Sequence, residues 1–149
     1  MFRGSSYHTI DSKGRIIIPV RFREPLQEKT AQALMISRLD NALFAYPLDE
    51  WEKIEERIHS LAEKSEAMRR FRRVFIGAVQ HCPLDKQGRI LIPPELRNYG
   101  KLEKEIVLVG VLDHFEIWSR QRWDDENLKL EEEDMQNEEV QSEIAKLGL

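Results

Sequence analysis

Short apolar runs separated by turn-forming residues dominate residues 5–46 and 80–118. In the first stretch a strand leads into the turn SKG, residues 12–14, where glycine takes a left-handed conformation without penalty. A short apolar strand, Arg15–Ile18, follows. Pro19 ends it and suits the first position of a helix, PVRFRE, which Pro25 is expected to keep very short. A hairpin completes the unit: ALMISR, a turn near Asp40–Asn41, then LFAY. The second stretch repeats this order with the turn KQG, the strand Arg89–Ile92 and the helix PPELRNY. Its hairpin is IVLVGV, a turn near Asp113–His114, then FEIW.

Between the two stretches the apolar period changes. Trp51, Ile54, Ile58 and Leu61 follow helical spacing, with Pro47 and Asp49 as start signals, and the apolar face of Trp51, Ile54 and Ile58 is expected, with the surfaces of the flanking stretches, to support a homo-oligomer larger than a dimer. Ser65 and Glu66 can open a second helix that carries Met68, Phe71 and Phe75 on one side. From Trp123 onward the chain is acidic with sparse apolar residues, and reads as a helix prone to fraying.

The two β-rich stretches share a phrase. Residues 11–23, DSKGRIIIPVRFR, align with residues 85–97, DKQGRILIPPELR, at seven identical positions in 13, including both arginines at 23 and 97. A module this small can scarcely bury its own apolar face, so the two copies are expected to pack on each other. The fold class is mostly β with helices.

Composition changes this picture in one respect. The formal net charge of −4 does not suggest a polyanionic partner, but residues 124–149 hold ten acids and two lysines, which leaves a formal +4 on residues 1–123. A single cysteine, Cys82, excludes an intrachain disulfide and a cysteine-rich zinc site. No run reaches the roughly 18 apolar residues of a membrane span, and MFRGSSYHTID lacks the apolar core of a signal peptide, so a cytoplasmic location is expected.

Enzymatic chemistry finds no support. The histidines at 8, 59, 81 and 114 are scattered and form no metal signature. KGR and QGR hold one glycine each, too few for a phosphate cradle. Asp11 and Asp85 each have an arginine four residues on, which would hold the acid ionised rather than poised for proton transfer. His81 and Cys82 are neighbours on a strand and face opposite ways. No metal, cofactor or small-molecule substrate is called for.

Arginine offers better chemistry. Asp11 can face Arg15 across its turn, and Asp85 can face Arg89, as a salt bridge pinning the hairpin. The same turns present Lys13 with Arg15 and Lys86 with Arg89 at protruding tips, with Gly14 and Gly88 shaping them, and Arg3 lies just upstream. A guanidinium fork matches guanine edges and phosphate oxygens. The acid would then orient the arginine's reach. A further basic run, Arg69–Arg73, fans over more than one helix face and reads first as a solvated or intersubunit surface.

MFRG…HTIDSKGRIIIPVRFR and LDKQGRILIPPELR resemble the two motifs of MraZ proteins, bacterial transcriptional regulators of the division and cell-wall gene cluster. The resemblance covers roughly residues 1–123. It implies two SpoVT–AbrB-type modules of the swapped-hairpin type, residues 5–51 and 81–124, joined by a helical linker at 52–80 into one pseudo-symmetric barrel, with an acidic tail at 125–149. It also implies a homo-oligomeric ring in the cytoplasm, associated with the nucleoid, that binds short direct repeats in double-stranded promoter DNA and represses its own operon. Asp11, Arg15, Asp85 and Arg89 match the family's DxxxR motif, with the arginines as the DNA-contacting members. Two alternatives stay open: an AbrB-type antitoxin whose acidic tail inhibits a toxin, and an assembly protein that binds no DNA.

Overall fold

A computed structural model describes residues 1–27, 32–61 and 65–149. The chain forms two units, residues 1–119 and residues 120–149. Part of the expected linker, residues 62–64, lies outside the described residues.

Among the described residues, the first unit contains eight strands and four helices, a mixture of sheet and helix. The strands are β1 (Ser5–Thr9), β2 (Arg15–Ile17), β3 (Ala33–Leu39), β4 (Ala42–Pro47), β5 (Gln80–Pro83), β6 (Arg89–Leu91), β7 (Glu105–Val111) and β8 (His114–Ser119). The helices are α1 (Val20–Gln27), α2 (Leu48–Ser60), α3 (Glu66–Gly77) and α4 (Pro94–Gly100). Six strands form one antiparallel sheet in the order β1-β7-β8-β4-β3-β5, and β2 pairs with β6 in a separate two-stranded ribbon.

This order explains why the phrase is written twice. Exchanging the two copies converts the sheet order into its own reverse. The first strand of each copy pairs with the hairpin of the other: β1 with β7, and β5 with β3. Each copy thereby supplies the edge that the other lacks.

The core follows from the alternation of the strands. Ile16, Ile18, Ile90 and Ile92 are buried beneath the ribbon, against Leu34, Ile36, Leu43, Ile106 and Ile117 of the large sheet. Phe2, Phe22 and Phe115 form an aromatic triad with ring centroids 5.0–5.6 Å apart. A second aromatic group joins Trp51 of α2 to Tyr46 of β4 at 5.7 Å and to Phe75 of α3 at 5.4 Å.

Three expectations are corrected. Pro25 does not cut α1 short: the helix passes through it to Gln27. Phe22 and Leu26, one turn apart and fully buried, hold the helix together although proline removes a backbone donor. The second hairpin turns at Leu112–Asp113, one residue earlier than read, and Leu112 takes φ 68°. His114 is consequently the first residue of β8 and stacks on Phe44 and Tyr46 at 4.9 and 4.8 Å. Finally, Trp51 and Ile58 were expected on a face offered to other subunits, but at 1% and 9% exposure they belong to the core of their own unit.

His114 carries its own consequence. Its Nδ1 meets the Asp113 carboxylate at 2.7 Å and its Nε2 meets Glu116 at 3.2 Å. Burial opposes the imidazolium, yet the two carboxylates outweigh it and raise the pKa. A raised folded value stabilises the protein fully below the unfolded pKa of about 6.5, and that contribution disappears as pH rises through the folded value. The melting temperature is therefore expected to fall as pH rises above about 6.5, and His114→Gln to flatten that slope. A scan of melting temperature against pH for both proteins checks it.

The second unit consists of α5 (Arg120–Glu132), a 3-10 turn at Asp134–Gln136 and α6 (Glu138–Ala145). Asn137 caps α6 by accepting from Glu139 N at 2.9 Å. No residue of these elements is buried, so the acidic segment is helical without a core of its own.

Candidate nucleic-acid interface

The two DxxxR turns have the same internal wiring. Asp11 Oδ1 accepts from the backbone N of Lys13 at 3.0 Å and of Arg15 at 2.8 Å, while Oδ2 takes the Arg15 Nε–H at 2.7 Å. In the second copy Asp85 Oδ1 accepts from Gln87 N and Arg89 N, both at 2.9 Å, and Oδ2 takes Arg89 Nε–H at 2.9 Å. Gly14 N and Gly88 N close each turn onto the backbone carbonyl of its aspartate at 3.0 Å. Backbone donation from Arg15 and Arg89 pulls the Asp11 and Asp85 carboxyls below the usual range. Partial desolvation opposes that, and the arginine side chains add to it. A lowered carboxylate pKa means that the pairing is complete at neutral pH and is lost only in acid.

Because each aspartate grips only Nε, the two terminal nitrogens of Arg15 and of Arg89 have no protein partner among the described residues. The fork is held in place and its outer donors remain available. Asp11→Asn should lower both affinity for DNA and the melting temperature. Titration and calorimetry of the same variant check this, and a variant that loses neither would make the pairing incidental.

Antiparallel pairing of β2 with β6 sets the two turns at opposite ends of one short ribbon. Ile18 N donates to Gly88 O at 2.9 Å and Ile92 N donates to Gly14 O at 2.8 Å, so each glycine carbonyl anchors the other copy's strand. Both glycines have positive φ, +89° and +76°. A Cβ on Gly14 would come within 2.7 Å of the Arg97 guanidinium, and one on Gly88 within 2.5 Å of that of Arg23. Glycine is needed at both positions for conformation and for space.

The expected residues are not all gathered here. Arg15, Arg89, Lys13 and Lys86 occupy the paired turns, although the lysines stand at different turn positions. Arg3 does not lie at the Asp11 turn. It follows Phe2, which bridges to Leu112, and so sits at the end of the β1–β7 ladder opposite the Asp11 turn. Strand direction separates what sequence proximity suggested were neighbours. The Arg69–Arg73 run lies on α3, which packs through buried Phe75 and a 2.6 Å bond from Ser37 Oγ to Phe75 O onto β3.

Sequence reading missed Arg23 and Arg97. Each lies across the other copy's turn glycine, adding a cation beside each tip. Arg97 Nε donates to Ile92 O at 2.9 Å, whereas Arg23 Nε is buried without a partner among the described residues. Their signal was visible, since both are identical between the copies.

Other chemistry is not assembled. Cys82 is buried on β5 while His81 is exposed, and burial pushes the thiol up to about 11. No cluster of three or more His, Cys, Asp or Glu among the described residues is placed to hold a metal ion. No helix among those residues is long and apolar enough to cross a membrane.

A family model described as "MraZ protein, putative antitoxin-like" matches residues 1–74 and again 74–143. The chain belongs to the MraZ family. Among its relatives, the "Transcriptional regulator MraZ" of Desulforapulum autotrophicum is 59% identical over 149 residues, covering the whole of both chains. The protein of the same name from Desulfosudis oleivorans is 55% identical over 150 residues, again across both full lengths. That of Syntrophobacter fumaroxidans is 45% identical over 135 residues, 91% of this chain and 89% of its own. Each of the two family matches holds one DxxxR turn. The second runs past Trp123 to residue 143, so the family match reaches into the acidic helices. The relatives' names describe regulators, a class that is not enzymatic, in agreement with the reading of the residues.

Proposed function

We propose that this chain is a DNA-binding transcriptional regulator that grips double-stranded promoter DNA with its paired DxxxR turns. The observation that carries this reading is that both turns lie on one ribbon with outward-held arginines. Arg15 and Arg89 are the direct contacts, Lys13 and Lys86 add phosphate contacts at the tips, and Asp11, Asp85, Gly14 and Gly88 shape and orient them. Arg3, at the far end of β1 from the Asp11 turn, is a further candidate cation for the DNA backbone. The modules, 5–51 and 81–124, close as one pseudo-symmetric barrel of SpoVT–AbrB type, and the exchanged strand pairing supports that reading. Short direct repeats upstream of its own division and cell-wall operon are the targets, repression is the outcome, and the nucleoid is the place of action.

The test is a footprint on the DNA upstream of its own gene at about 50 and 200 mM salt. Protection at regularly spaced repeats is expected. With roughly six phosphate contacts, affinity should fall by about a thousandfold between those salt concentrations. Absence of protection, or binding indifferent to salt, would favour the assembly protein instead. The description "antitoxin-like" keeps one more reading in play, in which the acidic helices occupy a toxin's nucleic-acid channel; co-purification of a small toxin would favour it.

A ring of copies is part of the proposal, because repeated weak contacts sum through effective concentration. Its apolar support lies on α3, where Met68 and Val74 are exposed beside a groove of about 270 Å³ lined by Leu39, Phe71 and Tyr99. Light scattering at micromolar concentration should return a mass above that of a dimer. A value near 17.6 kDa would refute assembly.

A further inference from the structure

The outer face of the β2–β6 ribbon carries two large aliphatic side chains that the core does not use. Ile16 and Ile90 point inward and are buried, whereas Ile17 and Leu91 are each 55% exposed. The register sets Arg15 opposite Leu91 and Arg89 opposite Ile17. Alternation along a strand places all four on the outward face. Directly opposed residues stand about 4.5–5.5 Å apart, so each aliphatic chain lies beside an arginine.

Two surfaces accept exposed aliphatic side chains: another protein, or the apolar spots of a nucleic acid. A protein interface has a core depleted of charge. Here every aliphatic residue is opposed by an arginine tied outward to its aspartate, with Lys13 and Lys86 at the tips and Arg23 and Arg97 across the turn glycines. Cations interleaved with small apolar contacts complement a polyanion that bears methyl groups. The major groove of B-DNA is such a surface. At about 12 Å wide it admits a two-stranded ribbon, and thymine presents its C5 methyl there beside hydrogen-bonding edges. Duplex RNA fits poorly, because its major groove is too narrow and deep for side chains.

Resting on the DNA-binding reading above, we propose that Ile17 and Leu91 are specificity-determining residues that contact thymine C5 methyl groups in the major groove. Arg15 and Arg89 hold the neighbouring bases or phosphates. The ribbon enters the groove face-on, and its approximate twofold symmetry gives each half one guanidinium and one aliphatic probe. Arginine supplies affinity and the aliphatic pair discriminates thymine.

The experiment uses the full chain and the duplex upstream of its own gene, prepared with thymine and with every thymine replaced by deoxyuridine, which removes only the methyl. Anisotropy titrations at one salt concentration compare the two. Each contacted methyl should be worth about three- to fivefold, so the wild-type protein is expected to lose roughly tenfold on the deoxyuridine duplex. The Ile17→Ala/Leu91→Ala protein should discriminate the duplexes less than about twofold, with unchanged melting temperature and oligomer mass. Arg15→Ala should lose affinity for both duplexes equally. Equal wild-type binding to both duplexes overturns the proposal while leaving DNA binding intact, and so does full discrimination retained in the double variant. The wild-type comparison needs no variant, so it decides even if the substitutions unfold the chain. Failure of the wild-type protein to bind the thymine duplex overturns the DNA-binding reading and this inference together.

Discussion

Arg15→Ala is expected to abolish or strongly weaken binding to the direct repeats while leaving the oligomer and its melting curve almost unchanged. Arg15 uses Nε to hold Asp11, and its terminal nitrogens have no protein partner among the described residues, so truncation removes the proposed contact to DNA and an exposed tie within the protein. Losing one bidentate contact should reduce affinity by roughly 1–3 kcal/mol, and the proposed ring would multiply that loss over every engaged subunit. Binding should also become less steep against salt, because fewer counterions are released. Arg89 has the same geometry about the approximate twofold. Arg89→Ala should therefore match Arg15→Ala if both turns face the DNA, and do less if only one does. Titrations at several salt concentrations, alongside light scattering and melting curves, make the comparison. Wild-type affinity in both variants would leave the arginines as hairpin pins and move the search to Arg69–Arg73.

The largest effect on stability is expected from Phe115→Ala. Phe115 is fully buried, stacks on Phe22 at 5.0 Å and meets Phe2 at 5.4 Å. It thus joins the second hairpin, the first helix and the N-terminal residues. Truncating a buried phenylalanine costs about 3–5 kcal/mol, because contacts are lost and the cavity collapses only partly. For a domain of this size that is roughly 10–20 °C in melting temperature. Phe71→Ala, on a partly exposed helix face, should cost much less. Urea unfolding of both variants checks the ranking. A Phe115→Ala protein destabilised by less than about 1 kcal/mol would mean that assembly, not this core, holds the unit together. Below its melting transition the same variant should bind DNA normally, which separates fold from contact.

Much of the site was legible because it is local. An aspartate accepting from residues two and four ahead needs only a tight turn, so Asp11 with Arg15 and Asp85 with Arg89 could be paired from spacing alone. The glycines followed for the same reason, since a left-handed turn position has few occupants. The helix of Trp51, Ile54 and Ile58 was also readable from its period, but its partner was not: periodicity shows that a face is apolar, not what covers it. Here Tyr46 and Phe75 cover it, and the face expected to meet other subunits is spent inside one.

By itself, the sequence determined the doubled phrase, most of its strands and turns, the paired acid and arginine in each copy, and the uneven charge, because each depends on residues within a few positions of one another. Tertiary structure alone decided which strand pairs with which copy, that Arg23 and Arg97 lie over the opposite glycines, that Arg3 ends up away from the Asp11 turn, and that Ile17 and Leu91 share an outward face with the arginines. Those outcomes rest on the register between β2 and β6 and on the exchange of β1 and β5. Register is chosen by burying Ile16, Ile18, Ile90 and Ile92 together, a slip of one residue would turn every side chain of a strand to the other face, and no short stretch contains both sides of that bargain.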